Sequence, residues 1–361
     1  MVPQPLPQPI QVFSDKLAPA LPVAWSEAAN YVKTILRTTR TLVGVERRDL
    51  PYPSDQYVPK PPKIRIALLT PNFRKDGVIA EPPTEIRLGD ATYKLHTLTD
   101  TAATDWRQRY LDILGILRKY ECHFICTPEL CFPKLGAVTI NDTFAASLLQ
   151  QALCQKCYII AGSYHCFDTF RNRIVIISPH QHTPFLLHDK LHSAVRLGEQ
   201  IAIPSFREVN IYQTPYARFA VLICLDSYDP LLQTLIINAN KSRSHPLVDL
   251  VFIPSFTDDY PRAAKIASTL SKLAGCAVVL SNGFIGDPVS GIYMGSERPL
   301  EPLVRIGSDA VVYEIDRLEL GVVHFLSPIH TCDQLRYLLD LGEIPVNLDV
   351  TSGVMALPSQ P

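Results

Sequence analysis

From residue 64 onward the chain alternates short apolar runs of strand length with polar turns. IRIALL (64–69), HFICT (123–127), YIIAGSY (158–164), NRIVIIS (172–178) and FLLHDK (185–190) each read as a strand, as do FREVNIY (206–212) and FAVLIC (219–224). Four more follow: DLVFIPS (249–255), CAVVLSN (276–282), DAVVYEI (309–315) and GVVHFL (321–326). Helical spacing is rarer. Trp106, Tyr110, Ile113, Leu114 and Leu117 fall on one face, and a further helix is expected around 143–156. A strong helix spans about 261–274: Pro261 suits its first position, Asp258 or Asp259 can cap it, and Gly275 can end it. A last helix starts at Thr331, whose offset to Gln334 resembles a capping box. Residues 71–100 are polar and irregular, which predicts a long functional or covering loop.

Many strands and few helices disfavour a strictly alternating doubly wound fold and favour a layered α/β body with mixed sheets. The N-terminal stretch is different. Pro3, Pro5, Pro7, Pro9, Pro19 and Pro22, then Pro51, Pro53, Pro59, Pro61 and Pro62, predict extended arms, because proline fixes φ and donates no hydrogen bond. Between them Ser26–Val43 has helical spacing, and one helix between two such arms must dock on the body or on a partner protein. The expected organisation is a Pro-rich arm over 1–62, a main domain over 63–326, and a C-terminal helix and tail over 327–361.

Composition narrows the function. Of 361 residues 47% are hydrophobic and 19% charged, and Lys plus Arg (34) nearly balances Asp plus Glu (35). That excludes a chain disordered throughout and does not indicate nucleic-acid binding through bulk charge. No apolar run approaches the roughly 18 residues of a membrane span. The N-terminus lacks the charged and apolar regions of a secretory signal. Nine cysteines with no export signal argue against a disulfide framework, and the expectation is a cytoplasmic protein.

Three strand ends carry candidate chemistry. Glu129 follows Pro128 past HFICT, Lys190 closes FLLHDK, and Cys224 closes FAVLIC before a polar turn and Pro230. Each has a plain alternative: a surface or helix-start glutamate, a lysine reaching solvent, a packing thiol. The abrupt switch from apolar run to polar turn argues against full burial of Cys224. A thiol near helix-start N–H groups is also expected to titrate below its free value of about 8.5. Together the three supply the chemical types of nucleophilic acyl transfer, namely a thiol to attack, a carboxylate for protons and an ammonium for the oxyanion.

In these motifs the sequence resembles the nitrilase superfamily of carbon–nitrogen hydrolases. Pro128–Glu129, Lys190 and Cys224–Leu225–Asp226 are similar to its three marks. KIRIALL, IIAGSY with Asn172, VFIPSF and VVLSNGFIG resemble the surrounding strands, over about residues 63–326. The resemblance implies an α-β-β-α sandwich, paired into a homodimer or larger homo-oligomer, with the Pro-rich extension outside it. It implies Cys224 as nucleophile, Glu129 as general base and Lys190 as oxyanion partner. The Leu225 N–H would complete the oxyanion hole, and Glu199 resembles a second carboxylate that orients the lysine or the substrate. No cofactor or metal is implied, and the substrate would be a small amide or nitrile, an amide being favoured.

The chain departs from the family pattern at Tyr228, Asp229, Pro230 and Leu231, along KIASTLSKLAG on the following helix, and across 284–307. It reads as a divergent member. A scaffold that keeps the fold without catalysis, and an amide-forming acyltransferase with the same cysteine chemistry, stay as alternatives. Cys154–x–x–Cys157 lacks a second pair at zinc spacing. Cys122, Cys126 and Cys131 read as packing thiols. His180 with His182, or His188 with His192, are weak metal pairs for which surface or supporting roles are expected.

Overall fold

The computed structural model describes residues 42–49, 63–71, 83–133, 143–179, 185–204, 206–241, 248–283, 289–306, 309–316, 329–330 and 355–356. Two sheets form its centre. One has seven strands: β2 (Lys63–Leu69), β5 (Phe124–Cys126), β6 (Tyr158–Cys166), β7 (Arg171–Ile177), β8 (Phe185–Asp189), β14 (Val304–Ile306) and β15 (Ala310–Asp316). Their order is β14-β15-β2-β5-β6-β7-β8. The other has six: β1 (Leu42–Asp49), β9 (Phe206–Gln213), β10 (Arg218–Val221), β11 (Leu250–Ser255), β12 (Ala277–Asn282) and β13 (Gly291–Tyr293), ordered β1-β9-β10-β11-β12-β13. Both are mixed. β2, β5 and β6 run parallel, as do β10, β11 and β12, while the remaining neighbours are antiparallel except β1 with β9.

The two-residue period of a strand explains why these segments are apolar on both faces. In β2, Ile64, Ile66 and Leu68 enter the layer between the sheets, where they join Phe124, Tyr158, Phe219, Leu250, Phe252, Ala277 and Val279. Ala67 and Leu69 point the other way, toward Trp106, Tyr110 and Leu114 of α1 (Asp100–Leu117) and Phe144 and Leu148 of α2 (Thr143–Gln155). The six-stranded sheet repeats this: Val251, Ile253, Val278 and Leu280 face α3 (Pro230–Lys241) and α4 (Tyr260–Ala274). The layers are therefore helices, sheet, sheet, helices. Each fully buried Leu, Ile or Phe contributes about 1.5–3 kcal/mol, so the middle layer binds the two halves firmly. Among the described residues no helix is long and apolar enough to cross a membrane.

The caps of α4 follow the sequence expectation. Asp259 accepts from the Arg262 N–H, Pro261 lies in the first turn, and Gly275 closes the helix at φ +62°. The irregular loop expected over 71–100 is in part a hairpin, β3 (Thr84–Leu88) with β4 (Ala91–Leu95), turning at Gly89 with φ +58°. Both faces of β3 are largely exposed, so no apolar alternation betrays it. Leu42 and Val43, expected to end a helix, begin β1 instead. The rest of that expected helix, the Pro-rich arms, the strand over 321–326 and the helix from Thr331 lie outside the described residues, while the described pairs Ile329–His330 and Met355–Ala356 form the short strands β16 and β17.

Candidate active site

β5 ends at Cys126 and leads into Thr127 and Pro128, and the chain then turns through Glu129 and Leu130, the latter at φ +59°. A left-handed backbone at leucine is strained and persists only where the surroundings hold it. Here they do. The Leu130 N–H donates to Ser163 Oγ at 3.0 Å, Phe132 N–H to the Ser163 carbonyl at 3.1 Å, and Trp106 Nε1 to the Cys131 carbonyl at 2.7 Å. Ser163 follows Gly162, whose φ of +85° marks a register shift in the β6–β7 pairing. A Cβ on Gly162 would lie 2.8 Å from the Pro128 carbonyl oxygen, so only glycine lets the turn bearing Glu129 come this close.

Lys190 follows β8 directly and stays on its ladder, its N–H donating to the Asn172 carbonyl at 2.8 Å. The chain then loops back through a 3-10 turn at Val195–Leu197 and Gly198 to bring Glu199 home. The Ala194 N–H donates to Glu199 Oε2 at 2.7 Å, so the loop is closed by the very carboxylate it delivers.

Glu129, Lys190 and Glu199 meet in the interior, 3%, 1% and 2% exposed. Lys190 Nζ donates to Glu129 Oε1 and Glu199 Oε2, both at 2.7 Å. Asn172 Nδ2 spans the same two carboxylates at 2.9 Å each. His165 Nε2 lies 2.8 Å from Glu199 Oε1, and its Nδ1 accepts from the His96 N–H at 2.8 Å. Burial alone would push the Lys190 ammonium down, but the two carboxylates reverse this and hold it well above its usual value. Burial likewise pushes the Glu199 carboxyl up, and Lys190 with His165 brings it well below the carboxylate range. Glu129 differs. Its burial, with Glu199 adding repulsion, outweighs Lys190 and leaves its carboxyl raised.

Cys224 comes from the other sheet. After β10, Leu222 still donates to the Phe252 carbonyl at 2.9 Å, and Cys224 then turns sharply at φ +47° to open a 3-10 turn (Cys224–Tyr228) before α3. Ser227 Oγ donates to the Cys224 carbonyl at 2.6 Å and Gln233 Nε2 to the Ser227 carbonyl at 2.6 Å, which fix this elbow. The thiol lies near enough to the Glu129 carboxyl for each to shift the other's titration, and Ser255 Oγ lies 3.5 Å from Sγ. Leu225, the next residue, sits in the first turn, where helical N–H groups have no partner inside the turn.

Two expectations for Cys224 are corrected. It is buried, only 3% exposed, because Ser255 and Phe256 at the end of β11 pack over it. Its thiol is pushed up to about 12, not down: burial and the Glu129 charge outweigh Lys190, Ser255 and the Phe256 N–H. The resting group is a thiol.

Asp226 is fully buried and ties the lysine strand to the elbow, accepting the Leu191 N–H at 3.0 and 3.1 Å. His192 lies between Asp226 and Asp229, with Nδ1 3.0 Å from Asp226 Oδ1 and Nε2 3.1 Å from Asp229 Oδ2. His188 instead meets Asn210 at 3.3 Å, so the two histidines do not form a metal pair. Among the described residues no cluster of three His, Cys, Asp or Glu could hold a metal, and Cys154 is exposed while Cys157 is buried. His180 and His182 lie outside the described residues. Sequence reasoning missed His165 and Asp229 as site residues. HC in β6 offered a polar residue inside an apolar run, the one signal that could have flagged His165.

No protein-family profile and no curated protein sequence matches the chain. Solved structures do. The CN-hydrolase superfamily protein XC1258 from Xanthomonas campestris is 18% identical, over 72% of this chain and 93% of that one, with a TM-score of 0.53. Nit3 from Saccharomyces cerevisiae, a member of branch 10 of the nitrilase superfamily, is 15% identical, over 74% of this chain and 94% of that one, with a TM-score of 0.54. At such identities the likeness is one of fold.

Proposed function

Starting from that fold, which is the nitrilase-superfamily fold, we propose that this protein hydrolyses a small amide through a thioester on Cys224. The observation that carries the reading is the buried Glu129–Lys190–Glu199 cluster, with Lys190 at 2.7 Å from both carboxylates and the Cys224 thiol against Glu129. Packing alone does not repay the burial of three titratable groups in one place, since each ionised group costs several kcal/mol to bury.

The steps balance as follows. The Cys224 proton passes to Glu129 while Sγ bonds to the amide carbon, and the carbonyl π electrons move onto oxygen. Lys190 Nζ and the Leu225 N–H stabilise that oxyanion. The C–N bond then breaks, and the leaving nitrogen takes the proton held by Glu129. Water attacks the thioester and gives its proton to Glu129. Collapse releases the acid, and the departing sulfur recovers the proton. A raised carboxyl pKa suits Glu129 to both halves, because it makes the carboxylate a stronger base than an ordinary glutamate while leaving the acid able to return its proton.

The test is covalent trapping. Incubation with a panel of short aliphatic amides and with hydroxylamine, followed by intact-mass measurement, is expected to give an acyl adduct on Cys224, ammonia and hydroxamate. In hydroxylamine-free reactions supplied with an amine, formation of the N-substituted amide without any free acid would favour acyl transfer over hydrolysis. No adduct from any amide, in protein whose Cys224 is intact and unmodified, overturns the catalytic reading in favour of a scaffold.

A further inference from the structure

His192 is the buried cluster's outlier. It touches neither Glu129 nor Lys190 in any contact described above, yet both its ring nitrogens face carboxylate oxygens, Asp226 Oδ1 at 3.0 Å and Asp229 Oδ2 at 3.1 Å. Ionised carboxylates only accept hydrogen bonds, so two of them facing one imidazole require a proton on each nitrogen. The ring is therefore an imidazolium joining two acids.

Those acids are placed where joining them matters. Asp226 sits two residues after Cys224 and also accepts the Leu191 N–H beside Lys190. Asp229 caps α3, accepting the Leu231 N–H at 2.7 Å, and its own N–H closes the turn onto the Asp226 carbonyl at 3.2 Å. Asp226 lies inside the elbow turn and Asp229 directly follows it, and the turn's first residue, Cys224, holds φ +47°. Without the cation, two carboxylates in one tight turn would repel and favour its opening.

We propose that His192 is a positioning residue whose imidazolium, bridging Asp226 and Asp229, locks the strained nucleophile elbow onto the end of the lysine strand, and that loss of one of its two ring N–H protons unlocks it. This rests on the reading of Cys224 as nucleophile and adds a regulation of that site. The His192 side chain is 27% exposed, so solvent can exchange the proton. The charged groups acting on it are Asp226 from the elbow and Asp229 from the start of α3; against a burial that alone would lower it, they raise its pKa to about 9. A raised histidine contributes fully below its unfolded value of about 6.5, and the contribution disappears as pH rises through about 9. The lock is closed at neutral pH and opens in mild alkali.

The experiment follows deuterium exchange of the peptide spanning 190–194 in the full chain from pH 7.5 to 10, corrected for intrinsic rates, together with iodoacetamide labelling of each cysteine at pH 7.5. In the wild type, protection should drop on the order of tenfold or more between pH 7.5 and 10. His192→Gln, close in size but uncharged, should show the low protection at pH 7.5 already. It should also label Cys224 severalfold faster while Cys126 and Cys131 stay protected. His192→Arg, charged at every pH, should keep its protection at pH 10. Flat wild-type exchange across the range overturns the proposal, and so does a His192→Gln protein that matches the wild type in both readouts. If His192→Gln does not fold, the wild-type series alone decides. Neither readout needs turnover, so an inert protein with a pH-dependent lock would refute the amidase reading and leave this one standing.

Discussion

Glu129 and Lys190, 61 positions apart in the chain, share a buried hydrogen bond of 2.7 Å between Oε1 and Nζ. Replacing the carboxylate by an amide of the same shape keeps the volume and removes both the charge and the ability to take a proton. Glu129→Gln is expected to reduce acyl loading of Cys224 by roughly 10²–10⁴-fold while the circular dichroism spectrum stays that of the wild type. Loading at the wild-type rate would remove Glu129 from the mechanism.

The cysteines should react in an order set by burial. Cys154 is exposed and Cys224 is not. With the Cys224 thiol pushed up to about 12, iodoacetamide at pH 7 should label Cys154 before the other described cysteines, and labelling of Cys224 should climb steadily as pH rises. Peptide mass mapping after partial alkylation measures this. Cys224→Ala should leave the melting temperature nearly unchanged and abolish acyl capture altogether.

Glu199 gives an acid-side prediction. Its carboxyl is held below the ordinary range, so it stabilises the fold above about pH 4.5, and that stabilisation is lost as pH falls toward the folded value. Chemical denaturation at a series of pH values should therefore show the wild type losing more stability between pH 5 and pH 3 than Glu199→Gln. At neutral pH the variant should be less stable by the low end of about 3–5 kcal/mol, since Glu129 still pairs with Lys190.

Gly162 is a backbone prediction. Alanine there meets φ +85° and a carbonyl oxygen at 2.8 Å that belongs to backbone and cannot swing away. The cost should be about 1–3 kcal/mol, read as a melting temperature lower by roughly 3–8 °C. The Glu129 turn should move with it, so acyl loading should fall as well. Gly283→Ala, whose nearest obstacle is the Phe256 ring, should be milder, because a side chain can yield where a carbonyl cannot.

The strands of both sheets were legible because each is apolar on two faces, which leaves a continuous run such as IRIALL or DLVFIPS. Glu129, Lys190 and Cys224 were legible as residues that end such runs, and the structure brings all three together with Glu199. The β3–β4 hairpin was not, since a strand exposed on both sides carries no alternation. The burial of Cys224 was not legible either, because its cover comes from Ser255, 31 positions away on a neighbouring strand. Nor was the His192 bridge, which depends on the meeting of two segments 34 positions apart.

Glu129 and Lys190 end strands of the seven-stranded sheet, and Cys224 ends a strand of the six-stranded one. The separation of Cys224 from Glu129 and Lys190 is thus a dimension of the apolar filling between the two sheets. Phe124 meets Phe219 and Phe252 there with ring centroids 5.6 Å apart, and Phe219 meets Phe252 at 5.5 Å. These rings act as a ruler. Trimming one lets the sheets settle toward each other, and reactions of this type lose about 10²-fold for a misplacement of 1 Å. Under the proposed mechanism, rate therefore depends on residues that no substrate touches, and this interior sets a distance as well as filling a space.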